Sequence, residues 1–132
     1  MAAMRLHHVQ VSCPPGGEGV ARAFYGDGLG MTEVAKPAEL AKRGGAWFRS
    51  YDGNGTVVAE LHVGVEDPMM AARKAHPAFQ VADVAELEEV ARRLASAGFG
   101  IDWSQRHNAG GLERFHTADG AGNRVEVLAV IS

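Results

Sequence analysis

Four residues of this chain have the types and placement to hold a cation: His8, Glu60, His76 and Glu126. Neutral imidazole nitrogens and carboxylate oxygens are donors suited to zinc, nickel, cobalt, manganese or iron(II). Each of the four lies in a stretch that reads as a strand, where alternate residues share a face. Their separations are too long for a local motif such as His-Glu-x-x-His, so spacing alone is a weak signal. An internal repeat is a stronger one. Val20-Ala21-Arg22 returns as Val90-Ala91-Arg92, and Gly28-Leu29-Gly30-Met31 as Gly98-Phe99-Gly100-Ile101, both 70 positions on (20 to 90, 28 to 98). With small slips, His8 then corresponds to His76, Glu60 to Glu126, and Asp52-Gly53 to Asp119-Gly120. A duplicated unit that carries one histidine and one glutamate in each copy predicts a divalent metal between symmetric positions.

Other residues surround these four. His62 shares a strand face with Glu60 and competes with it as a ligand. Gln10 lies on the His8 face and is a candidate for substrate contact. Arg114, His116 and Arg124 alternate into the hairpin that carries Glu126. They suit an anionic substrate group, or else pair with acids across the strands. His7 is next to His8 and so points to the other face, which reads as structural. His107 falls in a loop with two glycines and reads as a surface residue. Trp47 and Trp103 read as core or pocket wall.

The elements that must position these groups follow from period and punctuation. Leu6 to Ser12 alternates and stops at Cys13-Pro14-Pro15-Gly16-Gly17. Glu18 to Tyr25 reads as a short helix, Met31 to Ala35 as a strand, and Pro37 to Gly45 as a polar connection with a helical turn. Ala46 to Tyr51 and Thr56 to Val63 flank Asp52-Gly53-Asn54-Gly55, a hairpin signal. Gly64 to Lys74, with Asp67-Pro68, is the expected linker. Pro77 pushes His76 toward extended geometry, so a strand is expected to open at His76. Val84 to Ala97 has helical periodicity, with Asp83 as its cap and Gly98 as its stop. Ile101 to Gln105 reads as a strand, and Glu113 to Ala118 with Asn123 to Val130 as a second hairpin. The prediction is an α+β protein of two βαβββ modules related by pseudo-two-fold symmetry, at about 5–64 and about 74–131 of a single 132-residue domain.

Bulk properties bound the function. A hydrophobic content of 46% and a charged content of 22% are ordinary for a globular chain with a real core. A formal charge of −3 gives no electrostatic reason to expect nucleic acid or an anionic membrane. The single cysteine, Cys13, excludes an internal disulfide and fits a reducing compartment. No apolar run approaches a membrane span, and the first residues lack a signal-peptide core, so a cytoplasmic location is expected.

Taken together, Leu6-His7-His8-Val9, Phe24-Tyr25 with Leu29-Gly30-Met31, Glu60-Leu61-His62, Ala75-His76-Pro77-Ala78, and Arg114-Phe115 through Asp119 to Gly122-Asn123-Arg124-Val125-Glu126 resemble the vicinal oxygen chelate superfamily. That is the glyoxalase, bleomycin-resistance and extradiol dioxygenase group. The resemblance spans nearly the whole chain. It implies curled mixed sheets forming a cup around a divalent metal, with His8, Glu60, His76 and Glu126 as glyoxalase-I-like ligands. Branches with three ligands would use His8, His76 and Glu126. It implies a lyase or isomerase acting on a small molecule that chelates the metal through vicinal oxygens, with Glu60 or Glu126 as base. The alternatives are a non-haem iron(II) dioxygenase, thiol transfer to an epoxide antibiotic, and a metal-free drug-binding protein. A homodimer is expected, with modules paired within a chain or across the dimer. Gly120 stands where many relatives have proline, and Ser12 where some glutathione-dependent glyoxalases carry a basic residue, which argues against a glutathione adduct as substrate.

Overall fold

The computed structural model describes residues 1–131, and the chain divides into two compact units, residues 1–69 and 70 onward. The first holds β1 (Val9–Cys13), α1 (Glu18–Ala21), a π-helical segment (Arg22–Gly28), β2 (Thr32–Val34), α2 (Ala38–Ala41), β3 (Ala46–Tyr51) and β4 (Val57–Val65). Its sheet runs β1-β4-β3-β2, with β4 parallel to β1 and antiparallel to β3. Alternation in β3 and β4 sends Ala46, Phe48, Leu61 and Val63 into the core. Phe24 and Tyr25 complete that core: both are buried, and the Tyr25 ring centroid lies 5.8 Å from that of Phe48.

The helix expected over Glu18 to Tyr25 departs from α geometry at Arg22. Adjacent side chains on an α-helix diverge by about 100°, which would turn one of the two aromatic rings outward. The wider π turn lets both face the sheet, and the bond from Leu29 N to the Phe24 carbonyl, 2.9 Å, closes it. Gly45 fixes how β3 begins. Its φ is +83°, and a Cβ there would stand 2.1 Å from the Val63 carbonyl oxygen, so only glycine fits.

The second unit holds β5 (Ala78–Val81), α3 (Val84–Ser96), β6 (Leu112–Ala118) and β7 (Arg124–Val130), in sheet order β5-β7-β6. Here too the first strand lies parallel to the last, and the last antiparallel to the one before it. Asp83 caps α3 by accepting from Glu86 N at 2.8 Å. Leu87, Val90, Ala91 and Leu94 form the buried stripe of α3, and Phe115, Val125, Val127 and Ala129 the buried face of β6 and β7. The strand expected over 101–105 is reduced to one bridge between Asp102 and His116. The cause is local: the Asp102 carboxylate accepts from Ser104 N at 2.8 Å, an Asx turn that diverts the chain from the sheet. The whole is an α+β fold with mixed sheets of four and three strands. Among the described residues no helix is long and apolar enough to cross a membrane.

Candidate metal centre

Three donors converge in the second unit: His76, His116 and Glu126 have ligand atoms within 4.8 Å of one another. Register explains the grouping. His116 on β6 lies directly opposite Glu126 on β7, so the two side chains share a face. His76 precedes β5, and the bond from Glu126 N to the Pro77 carbonyl, 3.0 Å, sets it beside Glu126. His76 Nε2 is 3.0 Å from Glu126 Oε1, and His116 Nε2 is 3.4 Å from the same oxygen. Donors around a tetrahedral ion with bonds of about 2.0–2.2 Å stand roughly 3.3–3.6 Å apart. The two spacings to Glu126 lie at or just under this range, and all three donors fall within 4.8 Å, so the group could hold one ion.

The hydrogen bonds orient the His76 ring toward the group. His76 Nδ1 lies 2.7 Å from the Lys74 carbonyl oxygen. A carbonyl only accepts, so Nδ1 carries a proton, and Nε2 is the nitrogen turned to the Glu126 carboxylate. Two acceptors at hydrogen-bond distance need a positive centre between them, a second proton or a metal ion. A backbone carbonyl on the far nitrogen is also the usual way a ligating histidine is oriented. Burial pushes the His116 imidazole below its ordinary value; the Arg124 charge adds to this and the Glu126 carboxylate opposes it. A histidine held neutral is the form that binds metal.

Arg114 frames this group. Its Nη2 donates to Asn108 Oδ1 at 2.7 Å and its Nε to the Gln105 carbonyl at 3.2 Å, while Nη1 is 3.4 Å from Glu126 Oε1. Arg114 thus ties the 105–108 loop to the carboxylate. Arg106 lies over the Trp103 ring at 4.5 Å, and Trp103 packs on Phe115, so Trp103 is a wall residue. His107 is exposed.

The first unit gathers His8, Trp47, Arg49, Glu60 and His62. The His62 ring is buried and sandwiched, 3.9 Å from Trp47 on one side and 4.1 Å from His8 on the other. His62 Nε2 lies 2.7 Å from Glu60 Oε2, and Arg49 Nε donates to Glu60 Oε1 at 2.8 Å. Glu60 is accordingly held below the usual carboxylate range, by His62 first and then Arg49. His62 is pushed down by burial, against the pull of Glu60. Gln10 pairs in register with His62 and lies against Gly64. β1 begins at Val9, so His7 and His8 precede the strand and alternation does not separate them: their Nδ1 atoms are 3.0 Å apart.

Of the four expected ligands, the structure brings His76 together with Glu126. It sets His62 between the other two, stacked on His8 and bonded to Glu60. His116, expected to bind substrate, stands among the metal-type donors. Its signal was the register of the second hairpin: Asp119 N to Asn123 O closes the turn, and counting back along the strands puts 116 opposite 126.

Residues 5–127 match the Glyoxalase/Bleomycin resistance protein/Dioxygenase superfamily. The chain belongs to that superfamily. Within it, a protein from Bacillus anthracis assigned to the glyoxalase family is 39% identical, over 98% of both chains, with a TM-score of 0.82. The fosfomycin resistance protein FosX from Listeria monocytogenes superposes with a TM-score of 0.72 at 16% identity, over 97% of this chain and 94% of the other. Lactoylglutathione lyase from Agrobacterium tumefaciens does so with 0.67 at 20% identity, over 97% and 96%. These last two share the fold. A comparison with curated proteins returns no match.

Proposed function

We propose that this member of the superfamily is a divalent-metal-dependent enzyme of the glyoxalase kind, a lyase or isomerase for a small substrate with vicinal oxygens. The observation that carries the reading is His76: its Nδ1 is committed to the Lys74 carbonyl, and its Nε2 faces Glu126 with His116 alongside. His76, His116 and Glu126 would hold the metal. His8 and Glu60 are proposed as further ligands, from a first unit of this or a second copy of the chain. A bound divalent ion supplies Lewis-acid stabilisation of an oxyanion on the substrate. The chain's own groups do the rest. The Lys74 carbonyl fixes the His76 ring, and Arg114 Nη1 steadies Glu126 at 3.4 and 3.5 Å from its two oxygens. Glu126 or Glu60 would take the proton from the substrate carbon next to its vicinal oxygens, the C–H electron pair passing to the adjacent oxygen.

Metal titration into chelator-stripped protein tests this. We expect 1:1 binding of a first-row divalent ion, weakened about 100-fold or more by His76→Ala or Glu126→Gln, since even outer partners cost about 10–100-fold. His107→Ala, on an exposed loop residue, leaves affinity unchanged. Wild-type affinity in both His76→Ala and Glu126→Gln would sink the metal reading and leave a drug-binding role. A silent Glu60→Gln would remove Glu60 from the ligand set.

A further inference from the structure

A cavity of about 460 Å³ opens in the second unit beside the candidate metal centre, and Asp102, Gln105, His116 and Arg124 line it with Thr117 and Ala118. Two buried side-chain nitrogens have no hydrogen-bond partner among the described residues, His116 Nδ1 and Arg124 Nε, and both belong to residues that line this one cavity. Leaving a buried polar nitrogen unpaired is costly, and such groups are rare in native proteins unless a ligand or water meets them.

The placement follows from the hairpin. Arg124 pairs in register with Ala118, and His116 with Glu126, so Arg124 and His116 point from one face of neighbouring strands. The alanine at 118 leaves room beside the guanidinium. Thr117 points the other way and spends its hydroxyl on the Gly100 carbonyl at 2.6 Å. The Asp102 oxygen Oδ1 is turned to Ser104 N. His116 thus faces the metal-type donors with Nε2 and keeps Nδ1 apart from them. When Nε2 gives its lone pair to a cation, Nδ1 carries the proton and becomes a second donor beside Arg124.

We propose that this cavity is an oxyanion subsite: Arg124 binds a carboxylate or phosphonate group of the ligand, and His116 Nδ1 adds a second donor only when a cation occupies Nε2. As part of a substrate site it rests on the enzyme reading above; as an anion site it stands without it. Arg124 is then the residue that selects substrates bearing an oxyanion on the side away from the chelated oxygens. An Arg-to-oxyanion pair is charge-assisted and planar, which lysine reproduces in charge but not in geometry.

The test uses metal-free protein, so that it separates from the metal reading. Acetate, methylphosphonate and neutral acetamide are titrated while the histidine ring signals are followed by NMR. We expect saturable shifts of the His116 ring with the two anions and none with acetamide. Arg124→Gln should weaken anion binding about tenfold or more, as loss of a charged hydrogen bond does. Arg124→Lys should retain part of it and confirms that the variants fold. Equal binding of acetamide, unchanged binding in Arg124→Gln, or shifts that arise only after zinc is added would each overturn the subsite. In the last case the anion sits on the metal.

Discussion

At the scale of single residues, the two units treat one carboxylate differently. Glu60 and Glu126 both have a cross-strand partner on their own face: Arg49 for the first, His116 for the second. Arginine stays charged at any working pH, whereas a neutral histidine leaves the carboxylate's charge uncompensated. Each carboxylate also meets a residue of the other kind, His62 for Glu60 at 2.7 Å and Arg114 for Glu126 at 3.4 Å, so the units differ in how close the arginine stands: 2.8 Å from Glu60 and 3.4 Å from Glu126. The buried histidines also set a pH response. His62 and His116 are both pushed down, so below about 6.5 the unfolded chain takes up protons that the folded chain refuses. Stability of the metal-free protein is therefore full above that value and falls as pH drops toward the lowered folded values. Glu60 has the same sign further down: its stabilisation is present above about 4.5 and is lost as pH falls through its lowered folded value. Urea midpoints at pH 8, 7, 6 and 5 should be level at the top and decline below 7. A flat profile from 7 to 5 would contradict the assignment. His116→Gln should lessen the decline.

Among the elements, those with a clear period were legible and those decided by one local bond were not. The two hairpins and α3 follow from alternation, from Asp-Gly turns and from the Leu87, Val90, Ala91, Leu94 stripe, all readable in the chain. The π turn was not, because it answers to the joint burial of Phe24 and Tyr25, which only the packed sheet imposes. The strand expected after Gly100 failed because the Asp102 side chain competes with the ladder. His76 and Glu126 could be paired from the repeat, whereas His116 needed the hairpin register, which alternation gives only once the turn is fixed. The close approach at Gly45 was likewise hidden. Gly45→Ala should cost about 1–3 kcal/mol or more, since it forces a left-handed φ on a β-carbon that meets the Val63 carbonyl. Denaturant melts of this variant beside Gly53→Ala, where a Cβ meets nothing within 4 Å, check it. Equal stabilities would count against the geometry.

At the level of the whole molecule, each sheet is threaded in the same sequence: the strand made last enters the middle, between the first strand and the one before it. In the second unit the β6–β7 hairpin joins neighbours, but Ala78 meets Glu126 roughly fifty residues on, a closure with a larger entropic cost. Local hairpins form in about 1–10 μs, and long-range pairing is what slows folding. The hairpin should therefore lead and β5 dock onto it. Asp119 organises that turn, accepting from Ala121 N and Asn123 N at 3.0 and 2.9 Å. In stopped-flow refolding, Asp119→Ala should slow folding, whereas Asp83→Ala at the α3 cap should mainly hasten unfolding; the reverse pattern would put the helix first. The same threading has a consequence on the ribosome. Until residues 124–130 have been made, the apolar stripe of α3 has no middle strand to cover it. The emerging chain then presents a sticky helix for the seconds that its own synthesis takes, and its yield in the cell depends on what shields that helix meanwhile.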